Sequence, residues 1–402
     1  MKPIDKFFKT ILWSAVFLLA FREGAHAGSA YSRYGYGLLF LRDGVKAIGM
    51  GGAGLALSDS VTIFYLNPAA LASVRSTHIQ GAAIYERASL TLSGNSARFH
   101  DVNVNGLGIL IPLKRGSALA FGLQPYSQVN YELSQSDSVD GKAFEQSLNG
   151  SGGLDAFYLA LATTFGPVQI GVTSDFYFGL VRETWRVNFD ADDFNYTADR
   201  VETNFRGFGV HGGLQFRLKN LQAGLAAGSP VNISGETRID TRSNNDEVEV
   251  PKPAESKLPL WYGLGLAYRA TPHWLFSAEG RTQRWGSVNS SDLLGAQGVD
   301  SYNLGFGFEF SPGKDRLREG RGMHYRAGAN LSRLPYREAN GNTIPEWTVA
   351  AGLGVPFNRG FSRVDLALEW GKRGNGDNFL QENILRISAS INGSERWFQR
   401  RR

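Results

Sequence analysis

The sequence predicts an all-β protein. It is one membrane-spanning barrel of fourteen antiparallel strands, with the N-terminal region folded into the lumen as a plug. Three observations predict this. The first is composition: of 402 residues 49 are Gly, aromatic residues make up 12% and charged residues only 20%. The second is a succession of period-two segments from about residue 77 onward. The third is an export signal at the N-terminus. Composition also excludes other classes. A disordered chain lacks aromatics. A disulfide scaffold or Cys-type zinc protein needs thiols, and there is no Cys. A long helical chain is poor in Gly. The net charge of +5 is modest and forms no basic stripe, which argues against a nucleic-acid partner.

Residues 1–27 read as a signal peptide. Lys2, Lys6 and Lys9 precede the apolar run Ile11–Phe21, and Ala25-His26-Ala27 is a small-residue cleavage site. The apolar run is far short of the roughly 20 residues a spanning helix needs. No later stretch reads as a membrane helix.

Residues 28–76 lack period two. They are dense in Gly, Ala and Leu and poor in charge, so they can pack tightly without solvation. A plug inside the barrel is the expectation. Gly49-x-Gly51-x-x-Gly54 formally matches a dinucleotide fingerprint, but no apolar strand precedes it and no βαβ unit follows. No cofactor is expected. Close packing and φ > 0 turns explain these glycines.

The barrel, residues 77–402, is built from strands near 77–86, 102–113, 118–132, 153–165, 168–185, 202–218, 221–231, 257–270, 273–285, 301–311, 323–334, 346–356, 362–371 and 383–393. Successive side chains in a strand point to opposite faces. In 301–310, Tyr302, Leu304, Phe306, Phe308 and Phe310 share one face, opposite Asn303, Gly305, Gly307 and Glu309. In 363–370, Val364, Leu366, Leu368 and Trp370 lie opposite Arg363, Asp365, Ala367 and Glu369. The apolar face suits lipid, and the other suits a lumen. Trp274, Trp347 and Trp370 fit an interfacial girdle. Connections after even-numbered strands read as tight turns, with 312–322 longer. Those after odd-numbered strands read as longer polar loops: 133–152, 186–201, 232–256, 286–300 and 372–382. An outer-membrane barrel has this asymmetry and an even strand count. Closure also satisfies every backbone hydrogen bond where no water is available.

Ala47-Ile48-Gly49-Met50-Gly51-Gly52-Ala53-Gly54, followed by Asn67-Pro68-Ala69, resembles the N-terminal hatch of the FadL/TodX family of outer-membrane transporters for hydrophobic compounds. Leu258-Pro259 to Trp285, with its Gly263–Tyr268 core, is similar to that family's later-barrel signature. The start Tyr31–Gly37 and the tail Glu395–Arg402 look more like FadL-related barrels of Bacteroidota-type bacteria. The resemblance implies a fourteen-stranded, plugged barrel. It implies passive uptake of hydrophobic or amphipathic small molecules, such as long-chain fatty acids, with sideways release into lipid at a kink in the third strand. It places Gly49, Gly51, Gly52, Asn67, Pro68 and Ala69 in the hatch.

Three further readings come from the residues. Pro125, with Gly122 and Gln124, stands in the third strand. Proline cannot donate to a ladder, so a local break is expected there. Lumen-facing Glu279, Arg281, Glu309, Arg326, Asp365, Glu369 and Arg386 read mainly as salt bridges that fix the plug. Arg281 or Arg326 would suit a substrate carboxylate. No pair among the six His has metal-ligand spacing and no G-x-S-x-G occurs, so neither a metal site nor an enzyme is expected. The expected partners are a hydrophobic substrate and outer-membrane lipid, with the barrel a monomer. The alternative is an accessory barrel similar to PorV of type IX secretion, which binds a protein partner. A transporter would have an apolar pocket above the plug and a gap in the wall. An interaction barrel would be filled.

Overall fold

The computed structural model describes residues 28–40, 42–92, 95–113, 116–139, 142–189, 197–243, 246–247, 252–289, 296–312 and 322–395. Residues 1–27, read above as a signal peptide, and the tail beyond Glu395 lie outside the described residues.

Fourteen antiparallel strands close into one barrel. They are β1 (Thr77–Leu92), β2 (Asn95–Pro112), β3 (Ala118–Val139), β4 (Lys142–Phe165), β5 (Val168–Phe189) and β6 (Thr197–Leu218). Then come β7 (Leu221–Gly228 with Val231–Ser243) and β8 (Asp246–Glu247, Lys252–Leu258 and Trp261–Arg269). The last six are β9 (Trp274–Gln283), β10 (Ser301–Phe310), β11 (His324–Arg337), β12 (Thr343–Phe357), β13 (Ser362–Arg373) and β14 (Gln381–Glu395). Closure is made by β14 on β1, in register from Gln381↔Thr91 to Glu395↔Thr77.

The outside is apolar all round. Leu159, Val172, Phe208, Leu225, Leu264, Phe306, Leu331, Val349, Leu368 and Ile387, each on a different strand, are exposed. Trp274, Trp347 and Trp370 are exposed with them. Such a surface would aggregate in water and is stable against acyl chains. Among the described residues no helix is long and apolar enough to cross a membrane.

The interior is filled. Tyr36, Tyr126, Tyr177, Phe205, Trp285 and Tyr336 form one buried aromatic cluster. Leu55, Ile63, Tyr65, Leu66 and Leu71 of the N-terminal segment join Tyr158, Ala160 and Trp261 of the wall in a second.

Connection lengths differ from expectation. Most of 133–152, 186–201 and 232–256 is strand, not loop. β3 and β4 stay paired out to Val139↔Lys142, and β5 and β6 out to Val187↔Thr197. The asymmetry lies in strand length. β3 to β6, with the upper parts of β7 and β8, stand above the rest of the rim as a flange. The reason is physical. Above the apolar belt both faces meet water, so the ladder continues through Ser134-Gln135-Ser136-Asp137-Ser138 with no alternation to reveal it. β7 and β8 bend together where Ser229-Pro230 faces Pro259-Leu260, between the pairs Gly228↔Trp261 and Val231↔Leu258. Each proline removes a ladder donor there.

Candidate functional site

The N-terminal segment lies against the inward faces of the wall, and small residues let backbone touch backbone. The helix Val45–Ile48 ends at Gly49, which rests on Gly352. Gly51 turns at φ +66° and brings Met50–Gly51 onto Gly305, Gly307 and Gly328. A Cβ on any of these three would collide with that backbone. Asn330 Nδ2 donates to Gly51 O at 2.9 Å, and Gly52 lies beside the same side chain. Glu279 accepts the N–H groups of Gly54 (2.8 Å) and Leu55 (2.9 Å). The Gly49–Gly54 run thus meets β9 to β12.

Asn67, Pro68 and Ala69 meet the opposite wall. Asn67 caps the short 3₁₀ helix Pro68–Ser73, its Oδ1 accepting from Ala69 N at 3.2 Å. Its Nδ2 donates to Leu55 O (2.6 Å) and Leu214 O (3.3 Å). Pro68 and Ala69 fill the space a side chain at Gly171 would need, and Asn67 that at Gly213. Beside them is a link that sequence reading missed. Tyr65 donates to Asp175 Oδ1 at 2.8 Å, His211 Nδ1 lies 2.6 Å from Asp175 Oδ2, and His211 Nε2 lies 2.9 Å from Tyr65 O. Asp175 and His211 stand on different strands, β5 and β6, so no spacing in the sequence joins them.

Ion pairs hold the far side. Arg42 meets Glu346 and Glu369, while Arg373 and Arg386 meet Glu346 and Glu86. Lys46 meets Asp59 and Glu309. Arg326 is engaged by Glu309 and Asp365, both at 2.7 Å, with its side chain fully buried. Arg281 lies 3.5 Å from Glu279 and lines a small internal cavity of about 100 Å³ beside Leu38, Leu39 and Arg42. Among the described residues no group of three His, Cys, Asp or Glu is placed to hold a metal ion.

The wall departs from regularity at Pro125. β2 and β3 pair only from Leu107↔Leu123 to Pro112↔Ala118, although both strands run on. Two bulges part them. Gly106 sits at φ +126° opposite the register shift at Ala82/Ala83, and β3 shifts against β4 between Pro125 and Ser127. Gly122 is packed against Leu107 and Tyr158, and Gln124 lies against Gly106, so both stand at the last closed rung. Isolated glycine within a strand was the available signal for Gly106.

The gap is closed from within. Leu38–Leu39 forms a two-residue strand antiparallel to β3, with Leu38↔Gln128 and Leu39↔Ser127. Phe40 N donates to Tyr126 O at 2.8 Å, and Gly28 N to Asn130 O at 2.9 Å. Asn103 Nδ2 donates to Gln128 Oε1 across the gap at 2.6 Å. Outside lies a recess of about 880 Å³, lined by Phe40, Val104, Pro125, Gln128, Phe176 and Phe178 among others. The N-terminal segment therefore forms the floor of a recess that opens on the apolar face.

Comparison with known proteins follows this geometry. Solved structures with the same fold include the CymD monoaromatic hydrocarbon channel (15% identity, TM-score 0.61, 90% of this chain and 100% of that one). They also include the Ralstonia pickettii toluene transporter TbuX (11%, 0.59, 88% and 98%) and a Pseudomonas aeruginosa FadL homologue (10%, 0.61, 88% and 99%). The FadL/TodX-like fold expected from the hatch motif is therefore present. No curated sequence matches the chain. The family described as BamG matches residues 7–402.

Proposed function

The chain belongs to the BamG family, and from that membership and the fold it shares with hydrocarbon channels we propose that it is an outer-membrane conduit for hydrophobic or amphipathic small molecules. Long-chain fatty acids and compounds like them are the substrate class. The N-terminal segment acts as the hatch. The seam between β2 and β3 at Pro125 acts as the lateral exit into lipid. Nothing covalent is asked of the protein.

One observation carries this reading. The β2–β3 ladder stops at Leu107↔Leu123, and the gap is covered by the N-terminal segment, through the two-residue strand Leu38–Leu39 and single backbone bonds from Phe40, Gly28 and Ser29. Displacing a two-residue ladder costs little beside opening a full strand pair. Because the lumen is filled, passage requires that segment to move. Leu39 and Ser127 are opposed across the gap, and the chain has no Cys. Leu39→Cys with Ser127→Cys would tether the segment. Uptake of a radiolabelled long-chain fatty acid by cells should stop in the oxidised double variant and return on reduction. Unchanged uptake when oxidised rejects the exit.

The filled interior also favours a second reading, an accessory barrel that binds a protein partner through the flange. In that case the tether leaves function intact and a complex survives mild detergent extraction.

A further inference from the structure

The seam has an upper part that the uptake reading does not use. β3 runs from Tyr131 to Val139 paired with β4 on one side, from Tyr131↔Gly150 to Val139↔Lys142. Its other edge has no ladder partner above Asn130 among the described residues; at Asn130 itself Gly28 and Ser29 donate to the carbonyl, and the N–H donates to Ser32 Oγ. From Asn95 to Val104 the only ladder partner of β2 among the described residues is β1, with Asp101 and Asn103 meeting Gln128 of β3 by side chain at the bottom of the gap. Residues 134–138 of β3 are exposed, as are Ala97 and Arg98 of β2. Two strand edges thus face a common gap in water, above the apolar belt.

Long exposed edges are templates for pairing, and folded proteins blunt them with proline, lysine or a covering element. The stretch Tyr131-Glu132-Leu133-Ser134-Gln135-Ser136-Asp137-Ser138-Val139 has neither proline nor lysine. Below it the same edge already holds the N-terminal segment, through Gly28, Ser29 and Ser32 at Asn130 and through a short strand at Ser127–Gln128. Leu38–Leu39 is seated there antiparallel, through backbone pairing. That seat shows what the edge accepts: extended polypeptide. The Ser-rich composition places the edge in water, so a guest arrives as a hydrated chain and not as lipid. Since β2 and β3 are antiparallel, a single guest antiparallel to β3 is parallel to β2, and β3 is the better host.

We infer that the β3 edge over residues 131–138 is a β-augmentation site for an extended segment of a partner protein, laid antiparallel to β3 just above the contacts of Gly28, Ser29 and Ser32 with Asn130. Recognition is through the main chain, with alternate side chains setting register. This inference stands on the open edge and does not require that anything be transported.

Strand addition has a signature that other contacts lack. p-Benzoylphenylalanine is placed singly at Ser134, Ser136 and Ser138 of the full chain in its native outer membrane, and adducts are mapped by mass spectrometry after irradiation. The expected result is one partner polypeptide whose attachment point moves by two residues for each two-residue step, in the opposite chain direction. Adducts to lipid only, to this chain itself, or at attachment points that do not move in step would overturn it, as would no adduct at all three positions. Leu133→Pro and Ser134→Pro supply the control, because adjacent N–H groups point to opposite edges. One of the two removes only a seam donor. It should abolish the Ser138 adduct while heat-modifiable gel migration shows a folded barrel. An adduct retained in both variants would also overturn the inference.

Discussion

Pro125 lies opposite Asp155 of β4 and has no partner on β2, where the ladder has already ended at Leu107↔Leu123. A residue without an N–H stands at the point where one neighbour is lost, and the next step along β3 is a register shift. The β2–β3 rungs end at the proline and the bulge, and the β3 edge pairs instead with Leu38–Leu39. Replacing Pro125 with Ile restores a donor and a strand-favouring side chain. We expect Pro125→Ile to extend the β2–β3 pairing, slow amide exchange along the seam and lower fatty-acid uptake at least tenfold. Wild-type uptake in a correctly inserted variant would remove the seam from the pathway.

Asn67 is one of the points that hold the N-terminal segment. Its side chain caps Ala69 N and donates to the carbonyls of Leu55 and Leu214, all inside the barrel. Asn67→Ala loses the cap, worth about 1 kcal/mol, and strands buried acceptors at about 1–3 kcal/mol. The barrel ladders do not depend on it. Limited proteolysis should cut within residues 55–74 more than tenfold faster in the variant, with the barrel fragment intact. Equal cleavage rates would show that Asn67 does not secure the segment.

What the sequence made legible follows from where lipid imposes a pattern. Leu264, Phe306 and Leu368 alternate with small or polar partners because one face of each strand meets acyl chains, and all three lie outward. Ser134 to Ser138 meet water on both faces, so the upper strands left no period and read as loops. Pro125 was readable because its missing N–H is a local fact. Gly106 was not, since a glycine that forms a bulge looks like one that merely makes room. The Gly49–Gly54 run announced close packing, but not against what. Its contacts with Asn330 and Glu279 join residues more than two hundred positions apart. Leu38–Leu39 is too short for any periodicity to mark.

Arg326 discriminates between a structural and a substrate-binding role. It is buried between Glu309 and Asp365. Removing one member of a buried pair leaves uncompensated charge and costs about 3–5 kcal/mol. We expect Arg326→Met to lower the thermal midpoint and to reduce uptake of a fatty acid and its neutral methyl ester equally. Selective loss of the acid, with stability retained, would instead assign Arg326 to a substrate carboxylate.

Asp43 gives the hatch a pH dependence of its own. The carboxyl is buried, Oδ1 accepts from Leu66 N at 2.8 Å, and Oδ2 faces Gly54 without a hydrogen-bond partner. Burial pushes its pKa from 3.8 up to about 7, with Glu279 adding to the rise and the Leu66 N–H and Arg281 opposing it. The folded pKa is above the unfolded one, so between about pH 4 and 7 the folded form binds more protons. Asp43 therefore weakens seating of the segment as pH rises through that window. Asp59 runs the other way. Burial alone would raise its pKa, but Lys46, Arg363 and backbone N–H groups hold it well below the usual range, so its contribution is lost only in strong acid. Asp43→Asn keeps an acceptor for Leu66 and removes the ionisation. Protease resistance of residues 28–76 should then exceed wild type most at pH 8, by less at pH 5, and approach it near pH 4. An identical difference at all three pH values would show that Asp43 does not titrate there.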